Sequence, residues 1–452
     1  MHLWHRGAAW VLGPVLVGLA AVGLAMGSEY ANRLNRFVVH MYFWSPLLFM
    51  PTGFALLAYC CKRYFPGSQG SGIPQTMAAM DDAGTAKQTS LLSVRIAVGK
   101  IFSTLAGLCI GASIGREGPT VQIGASIMHM FYGRGPFQSA ETRRILILAG
   151  GAAGIAAAFN TPLAGIMFAI EELSKKHVFN ANSSTLVTVI VSGLISLALL
   201  GNYTYFGSSG ASLDWHSALA AVLLCGTVGG LAGGLFSRLL IAGSFSLPPR
   251  MAAFVRERPV LFAAMCGLVV AILGVCTNGL VFGTGYEPTR LTLEGRDTLP
   301  WYFGLAKLAA TLVSSMSGIV GGIFAPSLAV GAGIGDNLAD LFPALATRSA
   351  IVMLVMASYL SGVTRAPVTS FIIMMEMTNS HQMLLPLMAA SVVASGASKL
   401  ICPTALYHAL AKKFSHVADG VYAVDRTVQK TGERNQEATS SDATGEHAEE
   451  KK

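Results

Sequence analysis

Long apolar runs separated by short polar breaks dominate the chain. They cover Ala8–Gly27, Phe43–Cys61, Leu186–Leu200, Leu219–Leu240, Leu261–Val281, and Ile351–Val363 followed by Val368–Met375. Several approach the roughly 20 residues that cross a hydrocarbon layer as a helix, and others are too short to do so alone. The pattern predicts an all-α integral membrane protein with many helices, some of them discontinuous. The first run follows His2, His5 and Arg6. It is longer than the roughly 7–15 apolar residues of a secretory signal and ends in no clear small-residue cleavage site, so it reads as a retained span. Residues 1–420 form one transmembrane domain on this reading. From about Val424 the composition turns to Lys, Glu, Asp, Ser, Thr and Gly, and 421–452 is expected to be a disordered cytoplasmic tail.

The breaks carry more information than the runs. Gly70-Ser71-Gly72-Ile73-Pro74 precedes a short helix expected to end near Ala83. Gly115-Arg116-Glu117-Gly118-Pro119 opens a second, and Gly321-Gly322-Ile323-Phe324-Ala325-Pro326 opens a third, expected to run to about Gly335. In each, glycine supplies backbone freedom and proline falls where a first helical turn begins. The product is a helix start with free amide donors and about half a positive charge, enough to attract an anion without binding it irreversibly. Non-helical backbone at membrane depth is tolerated only where protein or a cavity surrounds it. Broken segments in two halves of a chain point to an inverted-repeat transporter. The halves are set at about 33–200 and 215–402, although no sequence identity between them is evident.

Composition narrows the class. Charged residues make up 12% of the chain against 53% hydrophobic, whereas soluble proteins carry about 25% charged residues. The net charge of +8 comes from basic residues at the ends of apolar runs, such as Lys62-Arg63, Lys175-Lys176 and Lys412-Lys413. That placement fits cytoplasmic loops rather than a nucleic-acid surface. Seven cysteines lie in or beside apolar segments without Cys-x-x-Cys spacing, and read as small core residues. No metal or cofactor is expected. Gly70–Gln75 lacks the third glycine of a dinucleotide fingerprint and no phosphate loop occurs, so an enzyme is not expected either. The cluster Gly229-Gly230-Leu231-Ala232-Gly233-Gly234 reads as a close-packing face between helices.

Among charged positions Glu117 stands out. It lies between the apolar stretches Gly107–Ile114 and Thr120–Ile127, and an intramembrane carboxylate defaults to a functional role. At a helix start its carboxylate would sit where an anion sits, and protonation would release the site. Permanent pairing with Arg116 is the competing reading, though neighbouring helical residues do not face each other. Glu171 and Glu172 read from spacing alone as a helix end paired with Lys175-Lys176. Lys100, Arg365 and Glu376 are further charges in apolar settings, suited to helix ends or buried pairs.

Taken together, these segments resemble the CLC family of chloride channels and chloride/proton antiporters. The three broken motifs are similar in order and separation to its filter motifs. Ala158-Phe159-Asn160-Thr161-Pro162-Leu163-Ala164-Gly165 with Glu171-Glu172, and Pro403-Thr404-Ala405-Leu406-Tyr407, resemble two further family stretches. The likeness covers about residues 10–415. It implies the CLC-type inverted repeat of tilted, partly discontinuous helices.

Residue roles then follow from the resemblance. Ser71 and Tyr407 would donate hydroxyl hydrogen bonds to a central chloride, and the amides of Ile323 and Phe324 would complete the site. Alone, Tyr407 would read as an interfacial aromatic. Glu117 would be the external gate and proton carrier, and Glu172 the internal proton-transfer acid. An acid at Glu172 favours coupled exchange of chloride for protons over a passive gated chloride channel, which is the alternative. Serine at position 71 favours chloride over nitrate, and the filter does not match the fluoride-exporting branch. Gln75 departs from the glutamate that many relatives carry, and Met77 supplies no acid either. The resemblance further implies a homodimer with one pore per subunit. Without paired regulatory domains the chain is expected to be prokaryotic, a multi-pass protein of the bacterial inner membrane.

Overall fold

In the computed structural model, residues 2–81, 91–134, 137–174, 183–201, 204–207, 211, 213 and 215–414 are described. The tail 421–452 and Lys175-Lys176 lie outside them. The order is α1 (His2–Met41), α2 (Pro46–Arg63), α3 (Ile73–Asp81), α4 (Val94–Cys109), α5 (Glu117–His129), α6 (Ala140–Phe159), α7 (Pro162–Phe168) and α8 (Ser183–Leu200). It continues with α9 (Trp215–Phe245), α10 (Pro249–Glu257), α11 (Pro259–Cys276), α12 (Tyr286–Leu293), α13 (Phe303–Met316), α14 (Phe324–Leu341), α15 (Arg348–Thr364), α16 (Pro367–Thr378) and α17 (Leu384–Ile401). Residues 406–414 are also helical. No strand occurs among the described residues, only two isolated bridges. Five helices are long and apolar enough to cross a membrane, and others, such as Pro367–Thr378, are apolar but short.

The apolar runs become helices with modest changes. The first extends to Met41 rather than Gly27. It packs into the body, with Gly18 against Ile195 and Gly27 against Leu105. The third broken helix runs to Leu341, past the expected Gly335, because glycines 331, 333 and 335 face neighbouring backbone and do not stop it. Those glycines let α14 approach Met356 and Val352 of α15, and Gly304 of α13. The glycine cluster of α9 does what its composition suggests. Gly229 meets Ser358 and Tyr359, Gly230 meets Ala394, Gly233 meets Tyr359 and Gly362, and Gly234 meets Ser398. A methyl group at Gly230 would stand 2.4–2.9 Å from the Ala394 backbone. Close backbone approach of this kind replaces the hydrophobic drive that lipid removes.

A repeat that sequence identity conceals is plain in the elements. The series α2–α8 and α11–α17 run in parallel order. Short helices α3 and α12 follow Gly-Ser-Gly at 70–72 and Gly-Thr-Gly at 283–285, with positive φ at Gly70, Gly72, Gly283 and Gly285. Buried lysines occupy matching places in α4 and α13. Lys100 donates to the carbonyls of Ser68 (2.6 Å) and Gly70 (2.9 Å), and Lys307 to those of Val281 (2.8 Å) and Gly283 (2.7 Å). Helices α6 and α15 each end on a left-handed residue, Asn160 (φ 57°) and Arg365 (φ 61°). In each half a proline then opens the next short helix.

The two halves clasp each other through reciprocal carboxylate caps. Glu376 of α16 accepts from the amides of Leu163 (3.2 Å) and Ala164 (2.7 Å) at the start of α7. Glu171, just beyond α7, accepts from the amides of Val368 (3.1 Å) and Thr369 (2.7 Å) at the start of α16, and from the Thr369 hydroxyl (2.9 Å). A carboxylate at a helix start satisfies amides that the helix itself leaves free and is favoured by the dipole. Glu171 thus serves as a helix cap, while its expected pairing with Lys175-Lys176 involves residues outside those described. Neither Lys100 nor Glu376 forms a buried ion pair among the described residues; both serve backbone groups, and Arg365 donates to the Pro403 carbonyl at 3.0 Å.

Candidate functional site

The three broken motifs meet at one place. Gly70 donates its amide to the Ile319 carbonyl (2.9 Å), and Gly321 donates back to the Gly70 carbonyl (3.1 Å). Gly115 and Gly322 exchange amide–carbonyl bonds of 2.7 and 2.8 Å. These bonds satisfy the backbone groups that the helix breaks expose, as buried amides require. The crossing is tight enough to demand glycine. A methyl group at Gly118 would run into the Ser71 side chain and stand 2.8 Å from its carbonyl oxygen, and one at Gly72 would stand 2.7 Å from the Gly118 carbonyl. Gly72 also has φ +107°, outside the range of other residues.

The starts of α3, α5 and α14 therefore converge, with the 406–414 segment joining them through Tyr407. That ring stacks on Phe324 at 6.1 Å with planes 11° apart. The Tyr407 hydroxyl points toward Ser71, yet neither the Ser71 Oγ nor the Tyr407 hydroxyl has a hydrogen bond of good geometry among the described residues. Buried hydroxyls are normally satisfied, so two left open and facing one point mark a place for a ligand that accepts hydrogen bonds. Ile323 and Phe324, both buried, bring the first amides of α14 to the same place. Donors without formal positive charge suit a monovalent anion that must leave again.

Glu117 is fully buried at the first position of α5. Its carboxylate lies against Gly115 and faces the amides of Arg116, Glu117 and Ala325. Neither carboxylate oxygen makes a hydrogen bond of good geometry. The side chain thus reaches across to the start of α14, as a tethered anion would. Arg116 turns elsewhere. Its guanidinium reaches the Ala158 carbonyl at 3.5 Å and stands 5.7 Å above the Tyr205 ring. Beside Arg116 opens a cavity of about 1170 Å³, bordered by Tyr205, Thr284 and Tyr286 and by the Arg36–Glu287 ion pair (2.5 Å).

Glu172 is fully buried on a π-helical turn, Ala169–Leu173. The extra residue in such a turn rotates the side chains beyond it, and π turns cluster at functional places. Here it sends Glu171 to cap α16 and turns Glu172 inward. Tyr407 lies within electrostatic range of both Glu117 and Glu172. His408 Nδ1 stands 3.7 Å from Glu172 Oε1. The sequence offers no pointer to that approach beyond the adjacency of His408 to Tyr407.

Gln75 acts as a neutral clamp. Its Oε1 accepts from the Gly72 amide at 3.0 Å, and its Nε2 donates to the carbonyls of Gln69 and, at 3.5 Å, Gly67. It holds the loop carrying Ser71 and adds no proton site. Met77 is buried apolar packing.

A family model described as voltage gated chloride channel matches residues 53–399. The chain belongs to the CLC family. Solved structures agree on the fold. A slow cyanobacterial Cl−/H+ antiporter is 23% identical, with a TM-score of 0.77 over 90% of this chain and 97% of that one. A CLC-type fluoride/proton antiporter is 22% identical with a TM-score of 0.76, covering 90% and 98%. A eukaryotic CLC transporter is 21% identical with a TM-score of 0.71, covering 90% and 74%. The inverted repeat anticipated from the broken helices is the CLC arrangement.

Proposed function

We propose that this CLC protein exchanges chloride for protons across a membrane. The observation that carries the reading is the Glu117 carboxylate, lodged among helix-start amides beside the open Ser71 and Tyr407 hydroxyls. Ionised, Glu117 competes with chloride for those amides. Protonated, it loses that attraction, swings away and admits the anion. Chloride is then held by Ser71, Tyr407 and the amides of Ile323 and Phe324, and is expelled when Glu117 returns. Glu172 passes protons to Glu117 from the inner side. Two of the fold relatives are coupled antiporters by description, which supports exchange over passive conduction. Serine at position 71 supports chloride as the anion.

Orientation follows from the basic ends. Helix α2 starts near the cavity beside Arg116 and ends at Lys62-Arg63, so with basic residues inside, the cavity faces outward. Apolar side chains stand exposed on α8 (Val187, Ile190, Leu194) and α17 (Leu385, Met388, Val392), flanking the paired α7 and α16. We assign this face to a homodimer with one pore per subunit, in a bacterial inner membrane. The test is a chloride gradient imposed on proteoliposomes. Uphill proton movement supports exchange; chloride flux with no proton movement under the same gradient establishes the passive channel instead.

A further inference from the structure

We propose that His408 is the residue through which inner water hands protons to Glu172. This rests on the exchange reading and adds its inner entry. Glu172 is completely buried, so a proton reaching it needs an intermediary. His408 is placed for that work. Its Nδ1 is buried and lies 3.7 Å from Glu172 Oε1, while the side chain as a whole keeps 21% of its surface exposed. One end of the ring thus meets the acid, and part of the side chain lies at the surface of the subunit.

The distance exceeds a hydrogen bond, but a small rotation closes it, and such contacts are commonly loose in resting proteins. The transfer balances simply. Starting from the Nδ1–H tautomer, Nε2 takes a proton from inner hydronium, and the resulting imidazolium gives its Nδ1 proton to the Glu172 carboxylate. Loss of the Nε2 proton to water with reprotonation at Nδ1, or a ring flip, restores the starting tautomer. Imidazole is the side chain whose ordinary affinity for protons suits both steps near neutrality.

The charged surroundings agree with this direction of travel. Glu172 is the acid that faces the ring from the π-helical turn. Glu171, next to it, is committed to the amides of Val368 and Thr369. On the segment carrying His408, the charges are Lys412 and Lys413, at the end leading toward the inner face. Tyr407 precedes it and faces the anion site. Proton entry and the chloride hydroxyl are therefore adjacent residues of one short helix, which separates the two ion routes while keeping them coupled.

The experiment compares unmodified protein, His408→Ala, His408→Asn and Glu172→Gln in proteoliposomes, recording proton and chloride flux together. Thermal unfolding and chloride flux check that each variant is folded. His408→Ala and His408→Asn are expected to lower the proton-to-chloride ratio roughly tenfold or more, within the range of lost proton transfer. Added imidazole on the inner side restores proton flux in His408→Ala. It has no effect in Glu172→Gln, where the acceptor itself is gone. An unchanged ratio in both His408 variants overturns the proposal while leaving exchange intact. A lowered ratio that imidazole does not restore also overturns it, since His408 then only shapes the site. Unmodified protein that moves no protons overturns the exchange reading and this inference together.

Discussion

Replacing Lys100 with methionine tests how the anion site is held in place. The ammonium donates bonds of 2.6 and 2.9 Å to the carbonyls of Ser68 and Gly70, in the loop that carries Ser71. Gly70 is also the residue bonded to Ile319 and Gly321, so one lysine braces both sides of the filter crossing. Methionine keeps the length and removes both donors. The Gly70 carbonyl keeps the Gly321 amide as a partner, so the bond lost there costs about 1 kcal/mol. The orphaned Ser68 carbonyl costs about 1–3 kcal/mol, and the two together roughly 2–4 kcal/mol before the part offset by removing a buried charge.

The repeat supplies an internal control. Lys307→Met removes two equivalent bonds, to Val281 and Gly283, and should destabilise by a similar amount. Its loop differs in one respect, because the Thr284 hydroxyl already accepts from the Tyr286 amide and borders the cavity beside Arg116. Thermal unfolding in detergent across a chloride titration separates the two effects. A bound anion stabilises by about 2.7 kcal/mol at a hundred times its dissociation constant. Both variants should melt earlier without chloride, but only Lys100→Met should lose most of the chloride-dependent gain. Equal chloride stabilisation in the two variants would refute the idea that Lys100 positions Ser71.

Three further outcomes come from the same geometry. Gly118→Ala places a methyl group against Ser71 and near Gly322; overpacking of this kind costs about 1–3 kcal/mol. Chloride binding by calorimetry should weaken at least tenfold, and unchanged affinity contradicts the tight crossing. Glu376→Ala should destabilise by about 2–4 kcal/mol, from two lost charge-assisted bonds at the start of α7. An unfolding midpoint equal to the unmodified protein's would remove the clasp from the account. Ser71→Pro should shift anion preference from chloride toward nitrate in a competition flux assay, and an unaltered ratio counts against Ser71 as a selectivity residue.

Much of the site was legible because its chemistry is local. Glycine before and proline within a first helical turn announce a broken helix, and a lone Glu117 between apolar stretches announces a buried carboxylate at a helix start. Long-range partners are another matter. Glu171 and Glu376 look like ordinary charges near helix ends until the fold brings α7 against α16, about 200 residues away in sequence. The π turn that separates the directions of Glu171 and Glu172 leaves no mark in hydrophobic periodicity, since one extra residue changes facing without changing composition. The repeat was hidden for a similar reason. Gly70-Ser71-Gly72 and Gly283-Thr284-Gly285 share a backbone conformation more than they share side chains. Helix length misled at α14, where glycine serves close packing rather than termination.

The central claim is that one carboxylate, Glu117, both blocks the anion site and carries the proton. Glu117→Ala measured in proteoliposomes with simultaneous chloride and proton electrodes tests it most directly. Alanine can neither bind a proton nor reach the amide of Ala325, so chloride efflux should persist while chloride-driven proton movement disappears. Proton movement retained alongside chloride efflux in that variant would contradict the account.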